Sequence, residues 1–221
     1  MIFISYYTGN NYKVCSNRLI PSLKKFNLPY YIEEIKNTGN YKHNISFKPE
    51  FVKNCLLNFK QSVCWLDVDT EVIKYPVLLM DKNSDDINLQ IYNWYADSDN
   101  HITRKNKDVI SKVANIFIKD NNNYNKKLLS SSGVFSFNYS KESIELLDNW
   151  IQEMKKNPNQ VDDQVLDKVF NEGGYINKLI YRWLPKEYNR MVWYPDWLDV
   201  SPVINHTKSD VCSIDLQNRT W

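Results

Sequence analysis

Apolar positions along this chain follow two rhythms. Short apolar runs at residues 2–6, 63–66, 87–92 and 133–137 have strand length and read as buried strands, while residues 30–35 alternate as a second strand would. Between them the period lengthens. Residues 12–26 form a helical stretch that Pro21 kinks or divides. Lys48-Pro49-Glu50 opens a helix, since proline fits a first turn, and Phe51, Val52, Cys55, Leu56 and Phe59 recur at helical spacing. Residues 109–118 are also helical in pattern. Ser140 caps a further helix through Met154, with Ile144, Leu147, Ile151 and Met154 as its apolar stripe. Asp162 and Asp163 begin another, where negative charge is favoured, and Gly173-Gly174 end it. Strands alternating with helices predict an α/β fold with a mostly parallel sheet. Thr8-Gly9-Asn10-Asn11 reads as a turn and residues 120–125 as a polar loop. With no repeat and no linker, residues 1–221 are expected to form one domain.

Composition narrows the function classes. The 43% hydrophobic and 14% aromatic content supports a sizeable core, which excludes a wholly disordered chain. A net charge of +2 with scattered lysines lacks the basic face that nucleic acid requires. No apolar run approaches the roughly 20 residues of a membrane span, and residues 1–7 read as a strand, not as a signal peptide. Cys15, Cys55, Cys64 and Cys212 show no Cys-x-x-Cys spacing, so buried thiols are expected. A soluble, cytoplasmic protein fits these absences.

The candidate chemistry begins at Trp65-Leu66-Asp67-Val68-Asp69-Thr70-Glu71. Residues i and i+2 of an extended chain point to one side, so Asp67 and Asp69 can aim both carboxylates at a point beyond the strand's carboxyl end. Ligands of open α/β sheets bind there. Two anions held together call for a cation, and hard oxygen ligands suit Mg²⁺ or Mn²⁺. A turn rich in Asp without a metal has the same local pattern. Near the C-terminus, Asn205-His206-Thr207-Lys208 offers an imidazole for a metal and an ammonium for phosphate, where a surface pair would look alike. Ser130-Ser131-Ser132-Gly133 allows a sugar or phosphate close to the backbone, as a plain loop–strand junction also would. Asp162-Asp163-Gln164 at a helix start can orient hydroxyls or take a proton, or simply cap. His43 and His101 read as surface residues.

Taken in order, these segments resemble the GT-A glycosyltransferases, and more narrowly the nucleotide-diphospho-sugar transferase group, with some likeness to the glycogenin and bacterial galactosyltransferase group. The resemblance spans nearly the whole chain: N-terminal strand, Lys-Pro helix, strand-Asp-x-Asp, Ser-Gly strand, Asp-Gln-x-Leu helix, Leu-Pro-x-x-Tyr-Asn and a late Asn-His. It implies a metal-dependent transfer from a nucleoside-diphosphate sugar, UDP or GDP in type, to a saccharide hydroxyl. Residue by residue, Asp67 and Asp69 match the metal-binding acids, with Asp67 also near the ribose, and His206 matches the C-terminal metal ligand. Lys208 matches a diphosphate contact. Tyr6 and Thr8 fall where the first strand meets the base, and Lys48 where a basic residue nears the donor. Ser132 and Gly133 match small residues lining the sugar pocket, and Asp163 and Gln164 the pair facing the reacting carbon or acceptor. The C-terminal segment lacks the fuller His-x-x-Gly-x-x-Lys-Pro-Trp pattern, and Ser131-Ser132-Gly133 replaces Asn-Ala-Gly.

Two other readings compete. Haloacid-dehalogenase-type phosphatases also carry Asp-x-Asp after a strand, but here Thr70 comes one position too early and the motif lies a third of the way along. A non-catalytic sugar- or nucleotide-binding module could use Trp183, Trp193, Trp197 and Trp221, although core packing explains most buried tryptophans.

Overall fold

A computed structural model describes residues 1–96, 127–193, 197 and 199–207. The helix expected over residues 109–118, the loop over 120–125, His101, Lys208, Cys212 and Trp221 lie outside the described residues. Nine strands and five α-helices are described. In chain order they are β1 (Ile2–Thr8), α1 (Gly9–Lys25), β2 (Tyr30–Ile35), α2 (Tyr41–Ser46), α3 (Lys48–Phe59), β3 (Val63–Leu66) and β4 (Thr70–Val72). After these come β5 (Leu89–Asn93), β6 (Ser130–Phe137), α4 (Lys141–Lys156), α5 (Asp162–Glu172), β7 (Tyr181–Leu184), β8 (Arg190–Met191) and β9 (Ile204–His206).

Six strands form a sheet in the order β2-β1-β3-β6-β5-β7. All run the same way except β6, which is antiparallel to both β3 and β5. The mostly parallel α/β expectation therefore holds, with one strand reversed. Alternation along the strands divides the core into two layers. Ile4, Trp65, Phe135, Phe137 and Ile91 pack with Val52 and Leu56 of α3, Leu147 and Trp150 of α4, and Leu166 and Phe170 of α5. Phe3, Cys64, Leu66 and Val134 turn to the other face, against Leu19 and Leu23 of α1. Both faces of the sheet are covered, which explains why its strands read as continuous apolar runs.

Most predicted element boundaries match. The β3 strand occupies Val63–Leu66 as read, Ser140 accepts a hydrogen bond from the backbone N–H of Ser143, and Gly173 ends α5. Other boundaries differ for physical reasons. Thr8-Gly9-Asn10-Asn11 is not a free turn. Gly9, at φ +71°, passes the chain directly from β1 into α1, a backbone shape glycine tolerates. Pro21 does not divide α1, which runs through it as one helix. Leu19 and Leu23 on either side are fully buried, and that packing offsets the roughly 3 kcal/mol an internal proline costs. The polar serines 130–132 belong to β6 itself. Register between β5 and β6 slips at Ile91/Tyr92, from Phe135 to Ser131, leaving residues 132–134 between two paired stretches. Such irregularities re-aim side chains beside sites.

A second, three-stranded sheet has the order β4-β9-β8. It is built from segments too short to show a period, and its antiparallel register sets Thr70 against His206. Cys15, Cys55 and Cys64 are buried, as expected. Among the described residues, no helix is long and apolar enough to cross a membrane.

Candidate active site

The β3 strand points its carboxyl end at the junction of the two sheets. There the backbone N–H of Asp67 donates to the Gly133 carbonyl at 2.8 Å, and that of Thr70 donates to the Asp67 carbonyl at 2.9 Å. These bonds hold Asp67-Val68-Asp69 as a tight bridge between β3 and β4. From the other end of the chain, Thr207 donates its N–H and its hydroxyl to the Asp69 carbonyl, at 3.0 and 2.8 Å. Strand β9 thereby brings His206 over the two acids. Its Nε2 lies 3.0 Å from Asp69 Oδ1 and 3.6 Å from Asp67 Oδ2.

One ligand atom from each of Asp67, Asp69 and His206 falls within 4.8 Å of the other two. The donor set fits a divalent ion of the Mn²⁺ or Mg²⁺ type: two hard carboxylates and one imidazole, with ligand atoms gathered on one side. The two oxygens of Asp67 are distinguished by their surroundings. Oδ1 accepts from Trp65 Nε1 at 2.7 Å and pairs with Lys48 Nζ at 3.1 Å, while Oδ2 faces His206. Burial alone would raise the pKa of Asp69, but the charge and hydrogen bond of His206 outweigh it and hold the carboxyl below its ordinary value. Burial would likewise lower that of His206, yet Asp69 and then Asp67 keep the ring's proton affinity raised. The edge of the Trp193 ring packs against the imidazole, with centroids 5.0 Å apart.

Lys48 is the hinge between this centre and a second acidic group. It is only 4% exposed, and its ammonium lies 2.6 Å from Asp162 Oδ2 as well as 3.1 Å from Asp67. It also donates to the carbonyl and hydroxyl of Ser132, and Ser132 donates its hydroxyl to Asp162 at 2.9 Å. Burial works against the charge on Lys48, but Asp162 and Asp67 more than compensate, so its proton is held more tightly than in water. Asp163, next along α5, accepts a hydrogen bond from the backbone N–H of Gln164. Burial and the neighbouring charge of Asp162 push its pKa up to about 7. One turn on, the buried Asp167 accepts from the Ser130 N–H at 2.9 Å. Burial, reinforced by Asp163, raises its pKa as well.

The sequence-predicted residues thus gather unevenly. Asp67, Asp69, His206, Lys48, Ser132 and Gly133 form one connected group. Gly133 stands directly beneath the imidazole: a Cβ there would meet His206 Nδ1 at 2.6 Å. Asp163 and Gln164 adjoin the group through Asp162. Tyr6 lies on β1 two residues past the last position paired with β3. Its ring meets Trp65 at a centroid distance of 5.0 Å, and its hydroxyl donates to the Asn44 carbonyl. Thr8 is buried at the end of the same strand, where α1 begins. Asp162, read from the sequence only as part of the Asp162-Asp163-Gln164 helix start, bonds Lys48 directly, and Trp65, Trp193 and Asn189, which had no assigned place at the site, border the metal-type centre.

No protein-family model matches the chain, and no curated protein sequence does. Solved structures do. A glycosyltransferase involved in the glycosylation of the major capsid of PBCV-1 superposes with a TM-score of 0.63 at 11% identity, covering 98% of this chain and 97% of that one. The galactosyltransferase LgtC, solved with donor and acceptor sugar analogues, gives a TM-score of 0.52 at 13% identity over 95% of this chain and 88% of its own. The bifunctional glycosyltransferase WbbM gives 0.56 at 14% identity, over 93% of this chain and 45% of its own. The chain has the GT-A fold of these glycosyltransferases.

Proposed function

We propose that this chain is a metal-dependent glycosyltransferase moving a sugar from a nucleoside-diphosphate sugar, with UDP as the expected nucleotide, to a hydroxyl of a glycan acceptor, and that residues 1–221 form one domain for that task. The observation that carries this reading is the convergence of Asp67, Asp69 and His206 at the end of the third strand of a GT-A fold. The fold speaks against the phosphatase reading, whose acidic pair would open the chain.

The reaction displaces a nucleoside diphosphate from an anomeric carbon, so negative charge grows on the leaving phosphates. A divalent cation, when bound, supplies electrostatic stabilisation of that charge. Asp67, Asp69 and His206 would hold it, and Lys208 would add a cation to the diphosphate. Tyr6 and Thr8 border the base, with Asp67 also near the ribose. Lys48, Ser132 and Gly133 line the donor side, where Lys48 keeps Asp67 turned by one oxygen so that the other is presented. Asp163 acts as the base. A carboxylate raised to about 7 is suited to taking the acceptor's hydroxyl proton near neutrality. Attack from the face opposite the diphosphate then inverts the anomeric configuration. Gln164 orients the sugar, and a retained product would shift the central role from Asp163 to Gln164.

A thermal-shift screen of UDP- and GDP-sugars with Mn²⁺, and again with EDTA, tests the reading. One nucleotide sugar should raise the melting temperature by mass action only when Mn²⁺ is present, and it should be turned over under those conditions. Binding without hydrolysis or transfer in any donor–acceptor pair would instead support a non-catalytic module.

A further inference from the structure

The centre contains an unused polar side chain. Asn189 is 0% exposed, yet neither its Oδ1 nor its Nδ2 bonds to a described residue, and the same is true of His206 Nδ1. These orphans are neighbours. The point where a Gly133 side chain would begin lies 2.6 Å from His206 Nδ1 and 3.0 Å from Asn189 Oδ1. A buried amide without partners is costly, so its presence beside a second orphan needs a reason.

The backbone pins Asn189 in place. Its N–H donates to the Lys186 carbonyl at 3.1 Å. The following strand β8 pairs in parallel with β9, Met191 beside His206, and Val192 N–H donates to the His206 carbonyl at 3.2 Å. The imidazole is held from its other sides by Trp193 and by the glycine floor. Its Nε2 faces the two acids, and its Nδ1 lies beside Gly133, the residue that Asn189 Oδ1 also approaches.

We infer that Asn189 is a positioning residue whose carboxamide oxygen accepts the Nδ1–H of His206, setting the ring so that Nε2 is the atom offered to the cation. The inference rests on the metal reading of the site. A ring that gives Nε2 to a cation carries its hydrogen on Nδ1, and that hydrogen needs an acceptor in this dry corner. Asn189 Oδ1, unpartnered beside the same glycine, is the acceptor at hand. Gly133 belongs to the same device, because any Cβ would displace both groups. Metal-bound histidines are commonly oriented by such a partner.

The test compares Mn²⁺ affinity, read from the free-ion EPR signal, in wild type, Asn189→Ala and Asn189→Asp. Asn189→Ala should bind about 10- to 100-fold more weakly, the usual loss for such a partner, whereas Asn189→Asp keeps an acceptor and should stay within about tenfold of wild type or bind more tightly. Nitrogen NMR of the His206 ring in the Mg²⁺-loaded protein should place hydrogen on Nδ1 in wild type and lose that single state in Asn189→Ala. Unchanged Mn²⁺ affinity and ring state in Asn189→Ala, even with a lower melting temperature, would overturn the inference and leave a packing role. If Asn189→Ala does not fold, Asn189→Leu makes the same comparison. If neither folds, a loss beyond about tenfold in Asn189→Asp overturns it. Wild type that binds no Mn²⁺ removes the metal reading itself, and this inference with it, a result distinct from binding that Asn189 does not influence.

Discussion

Two acidic groups share one lysine, and they hold protons in opposite ways. Asp69, beside His206, is kept below the ordinary carboxylate pKa. Asp163 and Asp167 are pushed above it. All three are Asp residues in sheltered positions, so burial alone cannot explain the contrast. What differs is the sign of the nearest charge. An imidazole stands 3.0 Å from Asp69, whereas Asp163 has another carboxylate, Asp162, as its chief charged neighbour. One group therefore keeps its charge, as the proposed cation site requires, while Asp163 holds a proton up to about pH 7. Lys48 touches both, through Asp67 and Asp162, and keeps two sets of anions compatible within one site.

The comparison breaks most severely if the charged side is cut. Asp69→Ala should lower Mn²⁺-dependent transfer by roughly a thousandfold or more, given how much transition-state charge a bound metal and its fixed surroundings stabilise. Circular dichroism should show the fold intact, and undiminished initial rates in this variant would refute the proposed centre.

Removing the shared cation comes next. Lys48→Met leaves Asp67 and Asp162 without their buried partner, which costs about 3–5 kcal/mol. Calorimetry should record a fall in melting temperature on the order of 10 °C for a chain of this length.

The proton-holding side gives a smaller effect with a defined sign. The folded pKa of Asp163 lies above its unfolded value, so the stability gained by holding that proton is complete below about pH 4 and is lost as pH rises through about 7. Asp163→Asn should therefore stabilise the protein by about 1–2 kcal/mol at pH 8.5, a figure reduced for partial solvent screening, and by much less at pH 5. Its kcat should fall by roughly 10²–10⁴ if it is the base, and the wild-type rate should climb through about pH 7 to a plateau. A pH-independent stability difference would show that Asp163 carries no buried proton.

Asp167→Asn is the mildest change. Burial raises the pKa of Asp167, and a neutral Asn can still accept from the Ser130 N–H, so urea denaturation should shift by less than about 1 kcal/mol. A loss of several kcal/mol would mean that Asp167 works as a charged group like Asp69.

Much of this was readable in the residue order. Val63–Leu66 is apolar on both faces because helices cover both sides of the sheet, so its run stands out without any alignment. Asp67 and Asp69 follow at a spacing that fixes their common direction. His206 was identifiable as a ligand type, but its strand is three residues long and carries no period. Asn189 closes the Leu-Pro-x-x-Tyr-Asn segment but carried no role there, since such an Asn is chemically ordinary until its neighbours are known.

The sequence by itself determined most of the longer elements, the strand-end acids and the helix that starts with Asp162-Asp163, because each follows from local periodicity and capping. Tertiary structure alone decided which carboxylate meets a cation and which meets another anion. It set His206 over Asp69, ran Lys48 between Asp67 and Asp162, and slid Gly133 beneath the imidazole. The physical reason is that electrostatic interaction depends on distance and surroundings rather than residue type, and those distances are set by contacts between residues as far apart in the chain as Asp69 and His206.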